Sequence, residues 1–210
     1  MPTLYDCGPS GNCYKVRLLL AQLELPCEHV EVDIFTGESR TPEHLARNPA
    51  GRTPVLVTDE GVPIAESGAI LLHLARGTAM LPGDAVEQAR VAQWLFFEQN
   101  LLEPNVGTGR FWKLTGRADA NPGAYQRFRE AGAAALEVVE RRAAESPFLA
   151  GEAYTVADVA VYGYAHVAGD CDLDMSAYPA LGAWLGRVEG TPRFMNDLAP
   201  YPPHAAQRPM

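Results

Sequence analysis

Ser10, Asn12, Thr53-Pro54 and Glu66-Ser67 are the residues of this chain whose types and spacing could do chemistry. Thr53-Pro54 stands before the apolar run Val55-Leu56-Val57, which reads as a strand. Proline cannot donate to a strand ladder, so it is confined to a first position, an edge or a bulge. An X-Pro bond goes cis for only about 0.5–1 kcal/mol, and such bonds mark tight, constrained turns. A cis bond is therefore expected here, turning the amide and carbonyl of Thr53 outward towards a peptide-like ligand. Glu66-Ser67 offers an acceptor for an ammonium and a donor for a carboxylate at a helix start. The set predicts a pocket for a small zwitterionic peptide, with Arg52, Arg40 and His44 as candidates for a second carboxylate.

Ser10 falls in the turn between the first expected strand and the first expected helix. A helix N-terminus carries unpaired N–H groups and partial positive charge, so it stabilises anions. Ser10 or Asn12 equally reads as a plain N-cap, a position these residue types favour. The two readings are compatible, because a cap is also where a thiolate is best stabilised. A thiol titrates near about 8.5, and each unit of depression is about 1.36 kcal/mol. A hydrogen bond to a charged acceptor contributes roughly 1.5–3 kcal/mol and the helix end about 0.3–1 kcal/mol. One hydroxyl at a helix mouth could lower a bound thiol by about one to two units. A serine nucleophile is disfavoured: Gly8-Pro9-Ser10-Gly11 is not Gly-x-Ser-x-Gly, and no His/Asp pair completes a triad. Cys13 reads as packing one turn inward, and Cys7 as packing at a strand end.

Composition excludes several classes. The chain has 210 residues, 47% of them apolar, enough for one or two domains with a sizeable core. Seventeen basic against twenty-six acidic residues leave a net charge of −9. That balance and the lack of a basic run argue against a nucleic-acid partner. Cys7, Cys13, Cys27 and Cys171 form no Cys-x-x-Cys pair and have no accompanying histidines at metal-ligand spacing, so no metal is expected. No signal-like leader and no long apolar run is evident, so a cytoplasmic protein without a membrane segment is expected. Neither a dinucleotide nor a nucleotide glycine loop occurs.

The elements that must carry these residues follow from periodicity. Residues 3–6 read as a strand. Val16, Leu19, Leu20 and Leu23 predict an amphipathic helix from near Asn12, stopped by Pro26. Cys27–Ile34 alternates as a half-buried strand, and a short helix is expected from Thr41-Pro42. Val55–Thr58 and Val62–Ala65 flank Asp59-Glu60-Gly61 as a hairpin, and Ser67–Arg76 reads as a helix. The order is β-α-β-(α)-β-β-α, closed by the boundary signals Gly77 and Leu81-Pro82-Gly83-Asp84. Beyond these the pattern is helical. It gives Val86–Gly109 interrupted at Pro104, Tyr125–Ala144, a nearly charge-free helix Val156–Ala168 behind the capping box Thr155–Asp158, and Tyr178–Val188. Trp94, Phe96, Phe97, Phe111 and Trp112 read mainly as core or helix–helix contacts. The tail after Leu198 reads as irregular. The expected division is 1–78, a linker 79–86, and an all-helical domain 87–210.

These motifs, taken in order, resemble the cytosolic glutathione transferases. They are Ser10-Gly11-Asn12 with Tyr14-Lys15-Val16-Arg17-Leu18, Asn48-Pro49 to Leu56, Ile64-Ala65-Glu66-Ser67-Gly68-Ala69-Ile70-Leu71, Trp94 to Gln99, and Thr155–Asp158. The resemblance runs from residue 3 to about 195. It implies an α/β plus all-α architecture, a thioredoxin-like βαβαββα domain followed by an all-helical one. It further implies glutathione as co-substrate, a small hydrophobic electrophile as second substrate, and a homodimer. Ser10 falls on the family's catalytic position, and Asn12 on one that contacts the thiol in some bacterial members. Thr53, ahead of a cis-Pro54, would pair its backbone with the cysteinyl part of glutathione. Glu66 and Ser67 would hold the γ-glutamyl ammonium and carboxylate, and Arg52 the glycyl carboxylate.

Serine at position 10 is similar to theta-, zeta- and related bacterial types. Thiol-transferring branches carry cysteine there, so the resemblance favours conjugation over disulfide exchange, with the electrophile beside Asn105–Trp112. The isomerase branch has a Ser-Ser-Cys turn where this chain has Ser10-Gly11-Asn12. Two alternatives stay open. One is a non-catalytic module of the same fold that binds ligands or docks onto proteins; the other is a glutathione-dependent dehalogenase or peroxidase.

Overall fold

Strand β1, Thr3–Asp6, is flanked on both sides in a four-stranded sheet of order β2-β1-β3-β4. β2, Glu28–Glu31, runs parallel to it, and β3, Val55–Val57, antiparallel; β4, Pro63–Ala65, extends the sheet from β3. The computed structural model describes residues 1–207. The chain divides into two units, Met1–Leu74 together with the segment from Arg193, and Ala75–Pro192.

In the first unit, helix α1 spans Gly11–Gln22, α2 Pro42–Arg47 and α3 Ser67–Ala75. Leu4 and Leu56 of the sheet pack with Val16 and Leu20 of α1 and Ile70 of α3, all at most 4% exposed. The crossover between parallel strands uses α1, as a parallel pair requires. β2 is shorter than expected and mostly exposed. It ends because Asp33 builds a turn, its Oδ1 accepting from the amides of Phe35 and Thr36 at 2.8 and 3.2 Å. Thr41 caps α2 through His44 N, with Pro42 at its first turn, as the sequence predicts.

α1 departs from its expected form. It stops before Pro26, where Glu24 takes a left-handed conformation (φ 54°) and the Glu24 and Leu25 amides bond back to Ala21 and Leu20. It is also buried nearly all round from Gly11 to Leu20, Lys15 and Arg17 included, rather than amphipathic. On the side of Tyr14 and Arg17 the cover is the segment after Arg193. Tyr14 Oη donates to Met195 O at 2.9 Å, and Arg17 Nε reaches Asp197. Ala199 N donates to Gly8 O, and Ala205 is fully buried. The tail was expected with the helical domain 87–210; it packs instead with the sheet. Residues 208–210 of that expected domain lie outside the described residues.

The second unit is helical. α4, Ala85–Phe97, starts at Asp84, whose Oδ1 accepts from Val86 and Glu87 amides. Pro104 does not interrupt the helical run that follows. Glu98–Gly107 is a π-helix with Pro104 inside it, continuous with α5, Thr108–Leu114. A wider turn accommodates a residue that lacks an N–H and crowds the preceding turn. Short α6, Arg117–Ala120, precedes α7, Pro122–Glu145. Helix α8, Val156–Ala165, is shorter than expected but buried at every position, and α9 spans Pro179–Glu189. The Thr155–Asp158 capping box is formed. Asp158 also accepts from Leu149 N and Trp184 Nε1, both at 2.9 Å. Burial pushes the Asp158 carboxyl up, against the donors that hold its ionised form. The two units are a thioredoxin-like α/β domain and an all-helical one.

Candidate functional site

Ser10 is in extended conformation (φ −78°, ψ 122°), and its Oγ accepts from Cys13 N at 3.3 Å, so it is the N-cap of α1. Asn12 follows inside the first turn, half-buried. Ser67, 4% exposed, opens α3, and its Oγ donates to Asn12 Oδ1 at 3.2 Å. Two helix starts 55 residues apart in sequence thus meet through these side chains. Burial pushes the Cys13 thiol up, opposed by hydrogen bonds from the Thr53 and Ser10 side chains. The Thr53–Pro54 bond is cis.

Glu66 and Arg52 are exposed, and neither side chain hydrogen-bonds to another described residue. Glu66 adopts a left-handed conformation (φ 69°) while its carbonyl accepts from Ile70 N at 3.0 Å. A non-glycine residue in that region is strained, and such strain persists where the surroundings over-determine it.

His44 and Arg40 serve otherwise than as carboxylate contacts. His44 is 3% exposed, and its Nε2 lies 3.0 Å from the Arg52 carbonyl, which also accepts from Asn48 Nδ2 at 2.9 Å. Arg40 Nη1 donates to Ala50 O at 3.0 Å. Gly51 (φ 62°) backs onto Arg40, where a Cβ would stand 2.6 Å from Nη1. Both side chains brace the loop that delivers Thr53. Cys13 is fully buried, and Cys7, almost so, has its thiol pushed up to about 12 by burial first and by Glu31 second.

Three buried charges around this site were not singled out from the sequence. Arg17 Nη1 donates to Asp6 Oδ1 at 2.7 Å and Nη2 to Gly8 O at 3.2 Å, while Asp6 Oδ1 accepts from Cys7 N at 2.7 Å. Burial opposes the Arg17 charge, and the Asp6 and Asp197 carboxylates hold it protonated. The turn leading to Ser10 is therefore clamped from below. Lys15, fully buried, donates from Nζ to Asn12 Oδ1 at 2.7 Å. Asn12 and Lys15 stand three apart on one helix, a spacing that places them on one face. A cavity of about 370 Å³ beside Gly8-Pro9 is lined by Asp33, Phe35 and His204 and does not include Ser10. Among the described residues no cluster of His, Cys, Asp or Glu is arranged to hold a metal ion.

Residues 2–76 match the family model for the glutathione S-transferase N-terminal domain, and residues 122–187 that for the C-terminal domain. The chain belongs to the glutathione S-transferase family. A solved structure of a possible glutathione S-transferase from Rhodopseudomonas palustris is 48% identical, with a TM-score of 0.90 over 94% of this chain and 90% of that one. The disulfide-bond oxidoreductase YfcG of Escherichia coli K12 is 31% identical over 192 residues, 88% of this chain and 89% of its own. A glutathione transferase family member from Pseudomonas fluorescens Pf-5, solved with two glutathione molecules bound, is 25% identical, with a TM-score of 0.80 over 91% of this chain and 89% of that one. No helix among the described residues is long and apolar enough to cross a membrane.

Proposed function

We propose that this glutathione S-transferase binds glutathione at Ser10, Asn12, Thr53, Glu66 and Ser67, ionises its thiol and adds the sulfur to small hydrophobic electrophiles. Glu66 accepts from the γ-glutamyl ammonium, and Ser67 donates to the adjoining carboxylate. The backbone of Thr53, ahead of cis-Pro54, pairs with the cysteinyl unit, and Arg52 takes the glycyl carboxylate. Ser10 donates its hydroxyl proton to the thiolate, with the α1 terminus adding partial positive charge. The thiol proton passes to water. The sulfur lone pair then forms a C–S bond, and the electrons leave with the departing group or enter the activated double bond. The reading extends to a cytoplasmic homodimer, on the strength of the family.

The observation that carries this reading is the hydrogen bond of Ser67 to Asn12, which brings the start of α3 to the mouth of α1. The glutathione-bound relative supports the ligand. Glutathione titration followed by thiolate absorbance, in wild type and Ser10→Ala, tests it. Ser10→Ala should raise the thiol pKa by about one to two units and slow conjugation, with affinity little changed. Unchanged turnover would remove Ser10 from the activating role.

A second reading, glutathione-dependent disulfide reduction, is favoured by the E. coli relative. It uses the same thiolate, which attacks a disulfide sulfur and expels the other as thiolate. Rates against an activated aryl halide and a small mixed disulfide separate the two.

A further inference from the structure

Lys15 has no accessible surface, a condition lysine almost never tolerates unless its charge is paired. It lies in the second turn of α1, and its Nζ donates to Asn12 Oδ1 at 2.7 Å. The Ser67 hydroxyl donates to the same oxygen at 3.2 Å. An ammonium has donors only, so the atom of the Asn12 amide facing it must be the carbonyl oxygen. Turning the amide over would set its NH2 group against NH3⁺. Lys15 therefore fixes which end of Asn12 faces inward, and the amide nitrogen lies on the other side.

Ser67 cannot do this alone once substrate arrives. Its hydroxyl has a single proton to donate. A γ-glutamyl carboxylate claiming that proton withdraws it from Asn12 Oδ1, whereas the ammonium of Lys15 keeps its bond. We propose that Lys15 is a positioning residue for thiol activation, which holds Asn12 with its N–H donors towards the substrate sulfur. The inference rests on the glutathione reading above. The arrangement favours the ionised sulfur, because a donor to the charged form lowers an acid's pKa.

The test measures the pKa of enzyme-bound glutathione by ultraviolet titration, with steady-state conjugation of an activated aryl halide across pH. Lys15→Met should raise that pKa by about one unit, lowering kcat/KM roughly tenfold at neutral pH. The deficit should vanish at alkaline pH, with glutathione affinity held within about threefold. In an Asn12→Ala background the same substitution should shift the pKa much less, because Lys15 acts through Asn12. Should Lys15→Met fail to fold, Lys15→Leu, which likewise fills the space without a donor, carries the same comparison. A thiolate pKa unmoved by either substitution, or shifts that add fully in the double variant, would overturn the role of Lys15. A wild-type protein that binds no glutathione, or binds it without ionising it, would overturn the functional reading and this inference together.

Discussion

Arg17 Nε donates to both carboxylate oxygens of Asp197, at 2.9 and 3.0 Å, across 180 residues of sequence. The same guanidinium holds Asp6 from another side, but the two carboxylates differ in setting: Asp6 is 6% exposed in its side chain and Asp197 43%. Asp6→Ala removes the buried partner of a buried guanidinium, leaving it only a half-solvated carboxylate, and should cost about 3 kcal/mol or more. Asp197→Ala removes a half-solvated partner and should cost at most about 1 kcal/mol. Urea melts of the two variants check this; equal losses would contradict it.

Glu66 combines a left-handed backbone with an exposed carboxylate. Glycine adopts that backbone freely, whereas other residues lose roughly 1–2 kcal/mol there. Glu66→Gly should leave stability unchanged or improve it by up to about 1 kcal/mol. Glutathione should bind at least about tenfold more weakly, as the loss of a charge-assisted bond implies. Calorimetric binding alongside thermal melts separates the two effects.

Asp158 satisfies the amides of Leu149 and Thr155 and the indole N–H of Trp184. Asp158→Ala leaves these buried donors without an acceptor, at about 1–3 kcal/mol each, and removes the cap of a fully buried helix. A loss of about 3 kcal/mol or more is expected by chemical denaturation. A loss under about 1 kcal/mol would mean that other groups take over the bonds.

His166 gives the fold a pH dependence. Burial lowers its pKa, with the Tyr162 carbonyl opposing and Arg110 adding to the effect. Its Nδ1 lies 2.6 Å from Tyr162 O, and its ring stacks on Tyr162 at 4.6 Å. Unfolded, the imidazole takes its proton near about 6.5. Below that pH the unfolded chain binds more protons than the folded one, so stability present above it declines on acidification. His166→Phe, which keeps a stacking ring, should flatten this decline. Denaturation midpoints at pH 7.5 and 5.5 give the slopes.

Local chemistry was legible in the sequence where it acts over a few residues. Thr41-Pro42, Thr155–Asp158 and the hairpin around Gly61 each carry their own turn or cap signal, and each forms. Lys15 and Arg17 were not legible, because periodicity assigns a charged residue to a wet face unless something distant covers it. For Arg17 the distant partner is Asp197 in the segment after Arg193, and no local pattern announces that segment's destination. His44 looked like a ligand contact for a related reason: its true partner, the Arg52 carbonyl, is a backbone atom that no residue type reveals. Pro104 misled because the π-helical turn that accommodates it is rare.

Ala205 completes its unit from beyond Pro192, after the whole of Ala75–Pro192 has been made. A growing polypeptide emerging from the ribosome thus exposes Tyr14 and Arg17 without their late partners while the helices are translated. Domains generally mature as units during synthesis. Here the helical stretch is contiguous in sequence, whereas the sheet unit needs the segment after Arg193 to complete it.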